Sequence, residues 1–189
     1  VIVGDDKQLP NVINHEEEQA LNAIQSTYHV DEKYQATANS FLQSCVKVFT
    51  DAPVTLLREH YRCHPSIIDF CNQMFYNGEL IAMTSGCHED KVLQVIKTVP
   101  GNHARGHFNQ REIDVIIQEV MPDYSESDSV GIITPYKDQA IAINRALGKD
   151  IASTVHKFQG RECDAIIMSM VDNAPTDFSD DPNLMNVAI

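Results

Sequence analysis

The sequence predicts a doubly wound α/β domain, a parallel sheet whose strands alternate with amphipathic helices. Aliphatic runs at Val54–Leu57, Val92–Val99, Val130–Thr134, Ile151–Val155 and Ala165–Val171 are separated by stretches with helical apolar spacing. That alternation is the pattern of βαβ units with right-handed crossovers. Polar, loop-forming blocks also lie directly against such runs: Gly4–Pro10 follows Val1-Ile2-Val3, and Thr154–Glu162 precedes Ala165–Val171. In open α/β sheets ligands bind where such loops leave the strand ends.

The elements follow in order. Residues 16–49 are polar and rich in helix formers, and Phe41, Leu42, Cys45, Val46 and Phe49 repeat at three and four along one helix face. Val54–Leu57 reads as a short buried strand. His64-Pro65 opens a second helix with proline in its first turn. The stripe of that helix is Ile67, Phe70, Cys71, Met74 and Phe75, and Asn77-Gly78 ends it. Val92–Val99 alternates as a strand does and stops at Pro100-Gly101.

Asn109 is placed to cap the next helix, whose core face is Ile113, Ile116, Ile117, Val120 and Met121. Val130–Thr134 is a buried strand feeding Pro135, read as a helix-start proline, and the helix runs to Leu147-Gly148. Ile151–Val155 and Ala165–Val171 complete the strands. No internal repeat and no linker is visible, so a single domain is expected.

At 189 residues the chain is long enough to bury a substantial core. It opens and stops inside expected elements, which reads as a piece of a longer protein. No apolar run approaches the roughly 20 residues of a bilayer span, and no signal pattern opens the chain, so no membrane partner is expected. Five cysteines without close paired spacing favour reduced thiols and a cytoplasmic setting. The adjacent pairs Cys63-His64 and Cys87-His88 do not by themselves make a tetrahedral cage, so no metal site is assigned. A formal charge of −13 excludes nucleic-acid binding by bulk electrostatics. It leaves open a local groove gripping through amides, hydroxyls and stacked rings. The clusters Asp123/Glu126/Asp128 and Asp177/Asp180/Asp181 read as solvated loops.

Four blocks can carry chemistry. In Gly4–Pro10, Gln8 both donates and accepts, which suits placing a water or sensing a phosphate; the block is also a plausible surface turn. In Glu59–Pro65, Arg62 offers a permanent charge and five fixed donors for a phosphate, or else pairs with Glu59 or Asp69. Thr134-Pro135-Tyr136 places a hydroxyl and a ring at a helix start. Tyr136 either stacks on a base or staples the helix to the sheet. In Thr154–Glu162, His156 and Gln159 can touch a sugar-phosphate backbone and Glu162 can accept from a ribose hydroxyl. Otherwise His156 is an ordinary hydrogen-bonded histidine, and Glu162 pairs with Arg161.

Taken in order, these blocks resemble the superfamily 1 helicases, in the branch of the nonsense-mediated-decay RNA helicase and the bacterial DNA-helicase-like AAA proteins. The resemblance covers nearly the whole chain. Gly4–Pro10 matches helicase motif three, and His60-Tyr61-Arg62-Cys63-His64-Pro65 matches motif four. Ile133-Thr134-Pro135-Tyr136 with Gln139 matches the next block, and Phe158–Glu162 with Asp164 matches motif five. Asn186-Val187-Ala188 is similar to the first half of motif six.

The resemblance implies a P-loop NTPase-like (RecA-like) parallel sheet with helices on both faces. Residues 1–15 would be the end of a first RecA-like domain, and 16–189 a second one, truncated inside motif six. It implies ATP and Mg2+ as cofactors, with the magnesium ligands mostly in the first domain of the same full-length chain. The catalytic residues would be Gln8 and the arginine finger Arg62. Tyr61, Arg62, Gly160 and Glu162 would bind ATP; Thr134, Pro135, Tyr136, Thr154 and His156 would face single-stranded DNA or RNA.

The sequence lacks a Gly-x-x-x-x-Gly-Lys-Ser/Thr loop, since Gly148-Lys149-Asp150 has neither the spacing nor the hydroxyl. The chain alone is therefore expected to be inactive. The alternative is a non-catalytic helicase-fold module that binds or regulates, which suits the acidic balance. An unrelated metabolic enzyme would need its own nucleophile and base, and no Gly-x-Ser-x-Gly elbow is present.

Overall fold

A computed structural model describes residues 1–10, 12–84, 92–174, 176 and 181–189. Cys87-His88, Asp177 and Asp180 lie outside the described residues. The chain forms two compact units, Val1–Glu59 and His60–Ile189.

In the first unit, α1 spans His15–Tyr28 and α2 spans Phe41–Val48. Both begin with reciprocal caps: Asn14 with Glu17, and Ser40 with Gln43. Glu16, Glu17 and Glu18 add negative charge where the helix dipole favours it. The expected face of α2 exists, but Phe41, Val46 and Phe49 are exposed. The first strand, β1, is the short Glu59–His60, one residue in each unit.

In the second unit, α3 spans Pro65–Phe75, capped by His64 with proline at its start. Beyond it, Asn77 and Gly78 both take positive φ as the helix ends. Cys71 is the buried member of the expected stripe, while Phe70 and Met74 are exposed. β2 is Ile81–Ala82, paired with β1. α4 runs Gln110–Val115 from its Asn109 cap and continues as a π-helical turn, Ile116–Val120. β3 is Val130–Thr134, α5 Lys137–Leu147, β4 Ala152–Thr154, α6 Val155–Phe158, β5 Ala165–Met168 and α7 Pro182–Ala188.

Among the described residues β4, β3 and β5 form a parallel sheet with β3 in the centre. Helices cover both faces, and the pleat shows why. Ile132 packs in the main core with Ile113 and Ile116 of α4 and with Ala140 and Ile143 of α5. Its neighbour Gly131 must point the other way, and there it meets Phe158 of α6 and Cys163. α7 packs on α6 and α3, and Asn186 donates Nδ2 to the Tyr76 hydroxyl at 2.8 Å. The α/β, P-loop NTPase-like fold is therefore as read from the sequence.

Three expected strands are absent. Val1–Val3, Val54–Leu57 and Val92–Val99 are not part of a sheet. β-propensity expresses fit to a pleated, half-buried surface, and these runs have none: Val95 is 85 % exposed. At the other strands the boundaries shift slightly. Val155 begins α6 instead of ending β4, and α5 starts at Lys137 with Tyr136, not Pro135, as its cap.

One buried polar network fixes the sheet's carboxyl edge. Gln139, 0 % exposed, accepts from the Asn109 backbone N–H at 2.9 Å. Its Nε2 donates to the Asn109 carbonyl at 3.3 Å and to Ser169 Oγ at 2.9 Å. Ser169 Oγ donates to Glu112 at 2.6 Å, and the Val171 N–H donates to both Glu112 oxygens at 3.0 and 3.1 Å. Asn109 Nδ2 donates to the Val171 carbonyl at 3.0 Å. Val171 sits at φ +70°, a costly conformation for a β-branched residue. Its hydrogen bonds and complete burial hold it there.

Gln139→Leu keeps the volume but orphans the Asn109 N–H, so it should lower stability by about 1–3 kcal/mol in urea denaturation. Unchanged stability would remove the network from this role. Gly131→Ala places a methyl in the Phe158 ring and within 3.1 Å of Cys163 Sγ. It should cost about 1–3 kcal/mol by the same measurement, as overpacking does; a neutral result would mean that α6 gives way freely.

Candidate functional site

Within the second unit the fold joins two residues a hundred positions apart. Arg62 Nε lies 2.7 Å from Glu162 Oε1, and the side chains are 63 % and 65 % exposed. This pairing replaces the local ones expected from sequence, Glu59 or Asp69 for Arg62 and Arg161 for Glu162.

Each half is held by its own local chemistry. Arg62 follows β1 in a loop closed by His60, whose Nε2 accepts from the Cys63 N–H at 3.0 Å. The same nitrogen lies 3.0 Å from Cys63 Sγ. Thr84 donates its hydroxyl to the Cys63 carbonyl at 2.8 Å, tying the loop to the residue just beyond β2. His64 then accepts from the Ser66 N–H at 3.2 Å and starts α3. Burial, then the Arg62 charge, lowers the His60 pKa, and accepting from a backbone N–H also requires the unprotonated nitrogen. Burial raises the Cys63 thiol and lifts Cys71 to about 11, so neither is an activated nucleophile.

Glu162 is aimed by a type II turn. Gln159 has φ −51° and ψ 129°, Gly160 has φ +81°, and the Arg161 N–H donates to the Phe158 carbonyl at 3.0 Å. Such a turn calls for glycine at its third position, which gives Gly160 a backbone reason to be present. The Arg161 guanidinium sits 5.9 Å from the Phe158 ring centroid. Asp164 closes the segment: its N–H donates to the Ser129 carbonyl at 2.8 Å and its carboxylate accepts from the Ser129 N–H at 3.0 Å.

The residues expected to face a strand converge as well. Thr134 and Thr154 are register partners at the carboxyl ends of β3 and β4. Thr134 and Pro135 are buried, Thr154 and Tyr136 partly so, and His156 is exposed. Tyr136 donates its hydroxyl to Asp172 at 2.7 Å, and its ring stacks on His107 with centroids 4.3 Å apart and planes 1° apart. His107 and Asp172 were not singled out from sequence, and Gln139 only as part of a motif block; spatial neighbours give each its role. Tyr61 is exposed beside Arg62. Gln8 belongs to the first unit, where its N–H reaches the Asp5 carbonyl at 3.4 Å. Among the described residues no three His, Cys, Asp or Glu side chains gather to hold a metal, and no helix is long and apolar enough to cross a membrane.

Because the His60 pKa is lowered, the unfolded chain takes up that proton first as pH falls. The stability supplied by neutral His60 is complete above about pH 6.5, the ordinary histidine value. It is lost as pH falls through the lowered folded value. Urea midpoints from about pH 8 to about pH 5 should therefore fall more steeply for the native sequence than for His60→Gln. Parallel profiles would assign the acid loss to other groups.

Comparison with known proteins agrees with this geometry. Residues 37–189 match a family described as an AAA domain. The chain is 31% identical over 211 residues to the 5'-3' DNA helicase ZGRF1 of Mus musculus, covering 100% of the chain and 10% of that protein. It is 28% identical over 195 residues to the probable helicase senataxin of Homo sapiens, covering 90% of the chain and 7% of that protein. A protein named uncharacterized ATP-dependent helicase MJ0104, from Methanocaldococcus jannaschii, is 24% identical over 217 residues, covering 100% of the chain and 30% of its own length. The chain thus spans less than a third of each of these relatives. With Arg62 and Glu162 of two distant motif blocks paired in space and this family match over most of its length, the chain belongs to the AAA-domain family of superfamily 1 helicase-like proteins.

Proposed function

We propose that this chain is the second RecA-like motor domain of an ATP-dependent helicase that translocates on single-stranded DNA or RNA. The observation that carries the reading is the Arg62–Glu162 pair. A guanidinium suited to a phosphate and a carboxylate suited to a ribose hydroxyl stand within reach of one nucleotide, and separate to take its two ends. Both are well exposed, and an ion pair in water is worth at most about 1 kcal/mol. The two groups can therefore exchange each other for ATP at little cost.

In this mechanism Arg62 neutralises charge developing on the transferred phosphoryl group, while Glu162 fixes the sugar through its 2′- or 3′-hydroxyl. Gln8 places the attacking water, and Tyr61 lies beside the base. Mg2+ would neutralise phosphate charge there, held mainly by residues of the first RecA-like domain of the full-length chain. Thr154, Tyr136 and His156, at or next to the carboxyl edge of the sheet, contact the strand, with Thr134 and Pro135 shaping the backbone beneath. Domain closure on ATP and opening on product release move that strand stepwise. By itself the chain supports no ATP turnover, because it has no loop to grip the triphosphate.

The test is ATPase assay of the full-length protein with and without single-stranded DNA and RNA. Arg62→Ala should lower strand-stimulated kcat about a thousand-fold or more, as loss of an arginine finger does. Glu162→Gln should act mainly on KM for ATP. Unchanged turnover in Arg62→Ala would remove Arg62 from the chemistry. Absence of turnover in the full-length protein, with strand binding retained, would favour a non-catalytic helicase-fold module.

A further inference from the structure

The helicase reading leaves an unexplained feature at the strand-facing edge: the ring expected to meet a base is already stacked on another. His107 lies parallel to Tyr136, planes 1° apart and centroids 4.3 Å apart, and His107 is itself exposed. We propose that His107 is a base-stacking residue for single-stranded nucleic acid, with Tyr136 as the backing plate that holds its ring in place. The proposal rests on the helicase reading and extends it to a residue outside the helicase motifs.

The arrangement is built from both sides. His107 sits in a tight reversal in which Ala104 and Asn109 form an antiparallel bridge and the Arg105 N–H donates to the Phe108 carbonyl at 2.8 Å. Gly106, at φ +61°, makes the bend. The reversal cannot drift, because Asn109 at its base is gripped through both its backbone N–H and its carbonyl by buried Gln139. On the opposite side Tyr136 is tethered by its hydroxyl to Asp172. Asp172 follows Val171, which the same network locks through Glu112 and Asn109. One set of buried hydrogen bonds thus fixes both rings.

Charge selects the kind of ligand interaction. With a formal charge of −13 the chain has no bulk attraction for phosphates. A ring platform grips a strand without needing such attraction, since every base presents a π-face. Arg105, in the same reversal, adds one positive charge beside the platform. Its Nη1 donates to the carbonyls of Asn102 and Ala104 at 3.1 and 2.8 Å, which orients the guanidinium. Thr154, part-exposed at the end of β4 and paired in register with buried Thr134, lies on the same edge.

The experiment uses the full-length protein with oligo-dT and oligo-U strands carrying a single 2-aminopurine, read by anisotropy and by fluorescence quenching. The native protein should bind and quench at least one of them. His107→Ala should bind that strand about 5-fold or more weakly, the loss expected for one stacked base, and should lose the quenching. His107→Phe should keep both, which a purely structural histidine would not require. Native-like binding and quenching by His107→Ala would overturn the proposal while leaving the helicase reading intact. Failure of the native protein to bind either strand would overturn both.

Discussion

The second unit depends on the satisfaction of one buried amide. Gln139 stands at the start of α5, fully enclosed, and spends its oxygen and nitrogen on Asn109 and Ser169. These partners lie on the lead-in to α4 and just after β5, so one side chain joins three chain segments at the carboxyl edge of the sheet. A buried amide left unpaired costs more than a made bond gains. The three segments are therefore held to one arrangement, and the strained Val171 backbone is tolerated as part of it.

Two consequences for function follow from that rigidity. The sheet edge becomes a fixed rim on which Tyr136, Thr154 and the loop carrying Asp172 keep constant positions. The loops carrying Arg62 and Glu162 are tied down differently, by short-range devices: a histidine that closes its own loop before α3, and a type II turn after α6. The rim is thus rigid because it is buried, whereas Arg62 and Glu162 remain exposed and can change partners.

Much of this was legible in the sequence wherever a local rule decides the outcome. The Asn109 cap, the His64-Pro65 helix start and the Gly148 helix end follow from short-range hydrogen bonding and backbone sterics. The cores of β3, α4 and α5 follow from apolar periodicity. Legibility failed at Val54–Leu57 and Val92–Val99, where the pattern was right for strands but no sheet received them. The chance partners proposed for Arg62 and Glu162 failed likewise, because sequence proximity favours neighbours and the fold chose residues a hundred positions apart.

By itself the sequence determined the fold class, the run from the Asn109 cap through β3, α5 and β4 to β5, and the family, because periodicity, caps and motif blocks are written in neighbouring residues. Only the tertiary structure decided that Arg62 meets Glu162, that Gln139 is a buried hub, and that His107 lies on Tyr136. Those contacts join segments far apart in the chain, and their existence depends on the sheet register and on the need of buried polar groups for partners. Neither is visible until the chain is folded.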